Sequence, residues 1–296
     1  GKGKVLSDFY HKIYEMVTGV GKEKIVMYHD IPITNEYILK NLNKEIILMY
    51  WEYTPRDYYK DLDKLLDAGF KVIISPSMLN WCRNFPDNIH ASKNIINLTK
   101  QGVNSKDRGV IGMLNSIWGD HHYYSFRENT LFGGVLGNAV SWNSKFDKYE
   151  DIIKTYGFLF YGLEEKHLEN YFKLFNTLSS MPKLYKKVSI LLPPLFFTYL
   201  FKHPFTSEKI KSPFDKYELM EDMAIESLRI YEELENFIKF NKENFEYIKF
   251  GAELAQILSE KIKTSISITN LLKSNDLNDE LRERIILQLE EMKNKF

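Results

Sequence analysis

Seven consecutive residues, Trp118-Gly119-Asp120-His121-His122-Tyr123-Tyr124, bring together an indole, a carboxylate, two imidazoles and two phenols. Such a set, between an apolar strand and a helix, is the layout of a βα unit with a catalytic or binding site at the strand's carboxyl end. Similar clusters stand at Tyr28-His29-Asp30, at Trp51-Glu52-Tyr53, and from Ser75 to the Asn80-Trp81 pair. A metal site is the rival chemistry, with His29, Asp30, Asp120, His121 and His122 as ligands. Neighbouring His121 and His122 point in different directions on a helix or a strand, so they do not chelate together readily, and no metal is expected. Each residue also has a plain alternative: Asp120 as a helix cap, the tryptophans as core, the Asn80-Trp81 stretch as a surface loop.

Each cluster follows a short apolar run. Lys24–Tyr28, Glu45–Tyr50, Lys71–Ile74 and Gly109–Leu114 read as buried strands. Helical periodicity fills the spaces between them: Val5–Val20, a short helix from Pro32 to Leu42, one from Pro55 to a stop at Gly69, and Ala91–Val103. The segment after Phe126 is helical again, with Gly133, Gly134, Gly137 and Ala139 allowing close packing. Apolar strands alternating with helices predict parallel strands with helices on their outer face. Four polar-aromatic clusters at the same topological position predict a shared functional face at the carboxyl ends, as in a (β/α) barrel. Gly133-Gly134 lies too deep in its helix to cradle a phosphate, which disfavours a sugar-phosphate enzyme.

Beyond Asn143 the pattern becomes helical throughout. Lys148–Ser180 reads as two helices separated around Gly157 and Gly162. Met181–Pro204 reads as a broken apolar helix, Ser207–Pro213 as a loop, and Phe214–Phe240, Glu243–Asn270 and Asn275–Lys293 as amphipathic helices. The predicted domains are residues 1–146 and 147–296.

The chain of 296 residues balances 40 basic against 40 acidic side chains, which gives no sign of a nucleic-acid or anionic-membrane partner. One cysteine, Cys82, excludes an internal disulfide and a CxxC metal site. The most apolar run, Val188–Phe201, is short and holds Pro193 and Pro194, so no membrane span is expected. The start, GKGKVLSDFY, has neither an initiator Met nor a signal-peptide layout, so the true start is expected to be absent and the location is left open, with the cytoplasm slightly favoured.

The strand ends together resemble the second half of the catalytic barrel of glycoside hydrolase family 20, the β-N-acetylhexosaminidases. Met27-Tyr28-His29-Asp30 is similar to the family's MWxD-like segment, with Tyr28 where a Trp is usual. Tyr50-Trp51-Glu52-Tyr53 stands where the next strand places a pocket Trp. Ser75-Pro76 with Asn80-Trp81, and then Trp118-Gly119-Asp120, follow in the family's order. Gly1-Lys2-Gly3-Lys4 resembles the stretch just after the family's catalytic Asp-Glu pair. The resemblance covers roughly residues 1–143. It implies a (β/α)8 TIM-barrel-like α/β fold of which strands five to eight are present, followed by an all-α region.

It further implies hydrolysis of terminal β-linked N-acetylhexosamine or hexosamine, in which the substrate's own acetamido oxygen attacks the anomeric carbon. No cofactor is implied. The catalytic pair is not in this chain, which alone would be inactive. Asp120 is the expected hydroxyl-binding carboxylate. Trp118 and Trp51 are expected walls, and Trp81 with Asn80 contributes from the long loop. Tyr28 or Tyr53 donates to the acetamido carbonyl, and Asp30 orients. The expected partners are a carbohydrate and the missing N-terminal half of the barrel, on the same or a separate chain. The competing reading is a non-catalytic carbohydrate-binding or scaffold protein with a degenerate barrel.

Overall fold

A computed structural model describes residues 1–21, 24–120, 125–146, 148–184, 216–273 and 278–295. Four parallel strands pair in chain order: β1 (Val26–Tyr28), β2 (Ile47–Trp51), β3 (Val72–Ser75) and β4 (Val110–Met113). The order follows from the connections, because each strand is followed by helix before the next begins. The helices of this part are α1 (Lys2–Gly19), α2 (Asp30–Thr34), α3 (Glu36–Asn41), α4 (Lys60–Asp67), α5 (Asn88–Asn104) and α6 (Leu131–Trp142).

The strands pack on one face. Leu48, Tyr50, Val72, Ile74 and Val110 are buried against Ile38 and Leu42, Leu62, Leu65 and Leu66 of α4, and Leu98 of α5. Period-two alternation sends Val26, Tyr28, Met49, Trp51, Ile73 and Ser75 to the other face, where Val26 and Tyr28 are exposed. The register between β3 and β4 slips by one residue: Val72 faces Val110, but Ile73 faces Gly112. Ile111 is therefore an inserted residue, and it is exposed.

Helix α3 starts where Asn35 accepts from the backbone N–H groups of Tyr37 and Ile38. Helix α4 begins at Lys60 rather than at Pro55. The cause is long-range: Gln101 of α5 holds both the N–H and the C=O of Tyr59, and Glu52 pairs with Arg56, so residues 55–59 are not free to wind.

The chain divides into two compact units. The first is Gly1–Met78, His90–Ile117 and Gly133–Asp147; the second is Leu79–Ile89, Trp118–Phe132 and Lys148–Phe296. The second contains α7 (Tyr149–Tyr161), α8 (Glu165–Ser180), α9 (Tyr217–Leu234), α10 (Lys242–Lys273) and α11 (Asp279–Lys295). Its core is aromatic. Phe132 packs on Tyr156 and Phe175, Phe85 on Phe175, and Phe245 on Tyr161 and Tyr231. Gly162 ends α7 in the left-handed region that glycine tolerates. Gly157 lies inside α7 instead of between helices, and its lack of a Cβ makes room for the buried Tyr171 ring, which a Cβ would meet at 2.5 Å. The Ser207–Pro213 loop and the apolar run Val188–Phe201 lie outside the described residues, as does most of Met181–Pro204. No helix among the described residues is long and apolar enough to cross a membrane.

Candidate functional site

In the first unit the carboxyl ends of β1 and β2 build an aromatic corner. The backbone N–H of His29 donates to the Met49 carbonyl at 3.1 Å, and its ring Nδ1 lies 3.2 Å from the same oxygen. That double contact folds the chain over the end of β2. The imidazole then sits 4.6 Å from the Tyr50 ring and, edge-on, 5.9 Å from Trp51. Burial depresses the His29 pKa below its ordinary value, against the pull of the Met49 carbonyl and of Asp30, Asp61 and Glu52. The ring is thereby held neutral at neutral pH.

The next residue, Asp30, opens α2 and accepts from the indole N–H of Trp51 at 3.4 Å. On the other side, the Tyr53 ring lies 5.2 Å from Trp51 with the planes tilted by 38°. Trp51 is half-buried and Tyr53 is buried. With its N–H bonded to Asp30 and the His29 and Tyr53 rings beside it, Trp51 is held in one orientation and stays half-buried.

Helix α5 locks the neighbouring strand ends. The Asn94 amide donates to the Glu52 carbonyl at 2.7 Å and to the Tyr59 hydroxyl at 3.0 Å, and its oxygen accepts from the Ser77 N–H at 3.2 Å. Ser77 passes the link on, its hydroxyl donating to the Ser116 carbonyl at 2.8 Å. The ends of β2, β3 and β4 thus share one polar network. Beyond β4, Asn115 donates to the Gly133 carbonyl of α6 at 2.7 Å, and Gly137 leaves the space that its side chain fills.

In the second unit residues 79–88 are buried without a break, although half of them are polar. A surface loop is excluded by that burial. Asn80 donates to the Trp118 carbonyl at 2.8 Å, and its own side-chain oxygen has no hydrogen-bond partner among the described residues. Arg83 donates to the Trp81 carbonyl at 2.8 Å with its guanidinium 5.7 Å from the Trp81 ring. Asn84 donates to the Gly251 carbonyl of α10, and Asn88 to the Ser179 hydroxyl of α8. Cys82 adopts a φ of 61°, in the left-handed region. Burial pushes its thiol up; Arg83 opposes the shift and Asp120 adds to it.

Among the expected residues, the structure joins Trp51 with Tyr53 and Asp30, and Asn80 with Trp118. Trp118 is half-buried, Asp120 is exposed and Trp81 is buried. Tyr28 is exposed on the same sheet face as Trp51. His121, His122, Tyr123 and Tyr124 lie outside the described residues. Sequence reading overlooked Asn94 and Arg83. Asn94 had a readable signal, a polar residue beside the buried Ala91, Ile95 and Leu98 of α5, while Arg83 had none. No group of three or more metal-ligating side chains is found among the described residues.

No protein-family model matches the sequence, and no curated protein matches it. A solved structure does match: a GH138 enzyme targeting pectin rhamnogalacturonan II, at a TM-score of 0.50 and 11% identity. The fold is glycoside hydrolase-like. The similarity covers 95% of this chain and 49% of that one, so the chain spans about half the length of the enzyme it matches.

Proposed function

We propose that this chain supplies sugar-gripping residues of a glycoside hydrolase acting on terminal β-linked N-acetylhexosamine or hexosamine. The observation that carries the reading is the corner of Trp51, Tyr53 and Asp30 at the carboxyl ends of parallel strands. Ligands of α/β folds bind at that end of the sheet. The chain-order pairing of β1 to β4 supports their being strands five to eight of a (β/α)8 barrel, in a domain of residues 1–146 with a helical region from 147 to 296.

In this reading the Trp51 face stacks on the pyranose and Asp30 fixes the indole. Tyr53 or Tyr28 donates to the acetamido carbonyl. In the second unit, Asp120 is assigned the acceptance of sugar hydroxyls, with Trp118, Trp81 and Asn80 belonging to that unit. The acetamido oxygen is the nucleophile, assisted by an Asp-Glu pair upstream of residue 1. The test is a panel of aryl glycosides assayed with the native protein. Release from a β-N-acetylhexosaminide above all others is expected. Release only from a uronide or a neutral hexoside overturns the hexosamine assignment. Sugar binding without any release supports the non-catalytic alternative.

A further inference from the structure

The imidazole of His29 holds its strand end with one nitrogen and leaves the other unused. The ring is neutral at neutral pH and so carries a single proton. Nδ1 lies 3.2 Å from the Met49 carbonyl oxygen, which can only accept, so the proton belongs to Nδ1. Nε2 is then a bare acceptor. It has no hydrogen-bond partner among the described residues, and it is not sealed from solvent, although His29 as a whole is 7% exposed. The aim of the ring is fixed, because Tyr50 and Trp51 both pack on it. The charged groups acting on it are Asp30 of α2, Asp61 of α4 and Glu52. Asp61 is paired with Lys64, and Glu52 with Arg56. Asp30 accepts from the Trp51 indole through Oδ1, and its Oδ2 makes no hydrogen bond among the described residues. Residues 29 and 30 thus present side-chain acceptors and no free donor.

A lone pair at the carboxyl end of parallel strands, in surroundings poor in water, gains more from a donor than it would in bulk solvent. A hydroxyl supplies that donor, whereas a carboxylate only accepts and is repelled by Asp30. A metal ion is the rival ligand for such a lone pair, but no group of three or more metal-ligating side chains is found among the described residues. We propose that His29 Nε2 accepts a hydrogen bond from a hydroxyl of a sugar bound at the Trp51–Asp30 corner. His29 is then a specificity-determining residue and not only a clamp on the end of β2. A ligand without a hydroxyl at that place leaves the acceptor unpaired and binds more weakly. The proposal rests on the sugar-gripping reading above and goes beyond it by naming the atom that reads a hydroxyl; its test separates the two.

The test is nitrogen NMR of the native protein carrying isotopically labelled histidine, joined to calorimetric titration. The probes are the methyl β-glycosides of N-acetylglucosamine, N-acetylgalactosamine and glucose. The His29 signals are those lost in His29→Asn, a variant that keeps a donor for the Met49 carbonyl. Without sugar, the proton is expected on Nδ1. A bound glycoside is expected to shift the Nε2 resonance of His29 more than its Nδ1 resonance. His29→Asn is expected to weaken that glycoside by about fivefold or more, with the other histidine signals in place. A proton found on Nε2, a glycoside that binds without moving the Nε2 resonance, or one that binds His29→Asn as tightly as wild type overturns the proposal and leaves the sugar-gripping reading standing. Failure of every glycoside to bind overturns both.

Discussion

The indole N–H of Trp51 is aimed at the Asp30 carboxylate, 3.4 Å away, across the ends of two adjacent parallel strands. One residue's orientation is thus set by another that is 21 positions earlier. Replacing Trp51 by Phe keeps an aromatic face and removes this bond; replacing it by Ala removes both. Weaker sugar binding is therefore expected for both variants, and more so for Ala. The loss is about two- to tenfold for Phe, since a hydrogen bond as long as this one contributes about 0.5–1.5 kcal/mol. Titration calorimetry with the cognate sugar decides it, and equal affinities for the two variants would remove the stacking role.

Asp120 is exposed, so its substitution is not expected to disturb folding. Asp120→Ala in the native enzyme should cost about 1.5–3 kcal/mol of sugar binding, a rise in KM of about tenfold to a hundredfold. Steady-state kinetics on an aryl glycoside check this. Unchanged kcat and KM would strip Asp120 of the hydroxyl-binding role.

Asn94 gives the sharpest stability prediction. It makes three side-chain hydrogen bonds while fully buried. Asn94→Ala is expected to lower unfolding stability by about 2–4 kcal/mol. Asn94→Asp is expected to be worse, because it buries a charge and removes the donor to Glu52 and Tyr59. Urea denaturation orders the two variants, and an Asp variant as stable as wild type would show that the network is not tight.

The strands and helices of the first unit are legible because their periodicity is local: apolar runs of four to six residues, then amphipathic stretches. The burial of residues 79–88 is not legible. Asn84 and Asn88 find their partners 167 and 91 residues away in sequence, and a polar composition alone reads as surface. The same asymmetry holds at the site. Trp51, Tyr53 and Asp30 are readable because each closely follows an apolar strand, whereas the start of α4 depends on Gln101 of a different helix.

His29 makes stability depend on pH. Its folded pKa lies below the ordinary 6.5, so between those two values the unfolded chain binds more protons. The stabilisation is complete above the unfolded pKa and is lost as the pH falls through it toward the folded value. His29→Asn keeps a donor for the Met49 carbonyl and removes the titration. The fall in urea midpoint from pH 7.5 to 5.5 is expected to be smaller in this variant than in wild type; an identical fall would assign the slope to other groups.

Three glycines of α6 should separate cleanly. At Gly134 an added Cβ meets nothing within 4 Å, so Gly134→Ala is expected to stabilise by about 0.5–1 kcal/mol through helix propensity. At Gly133 the Cβ would collide with the Met78 side chain, and at Gly137 with the Asn115 amide at 2.8 Å. Those two substitutions should destabilise by about 1–3 kcal/mol. Thermal melts of the three variants give the order directly.

The inserted Ile111 has a consequence for how the sheet can close. In a barrel, strand number and shear together fix the tilt and the diameter. The slip after Val72 sets two residues of β4 against one step of β3, and such a bulge bends the strand and increases its local twist. Deleting Ile111 would keep Val72 opposite Val110 and Ile73 opposite Gly112 in an unbroken ladder and remove that bend.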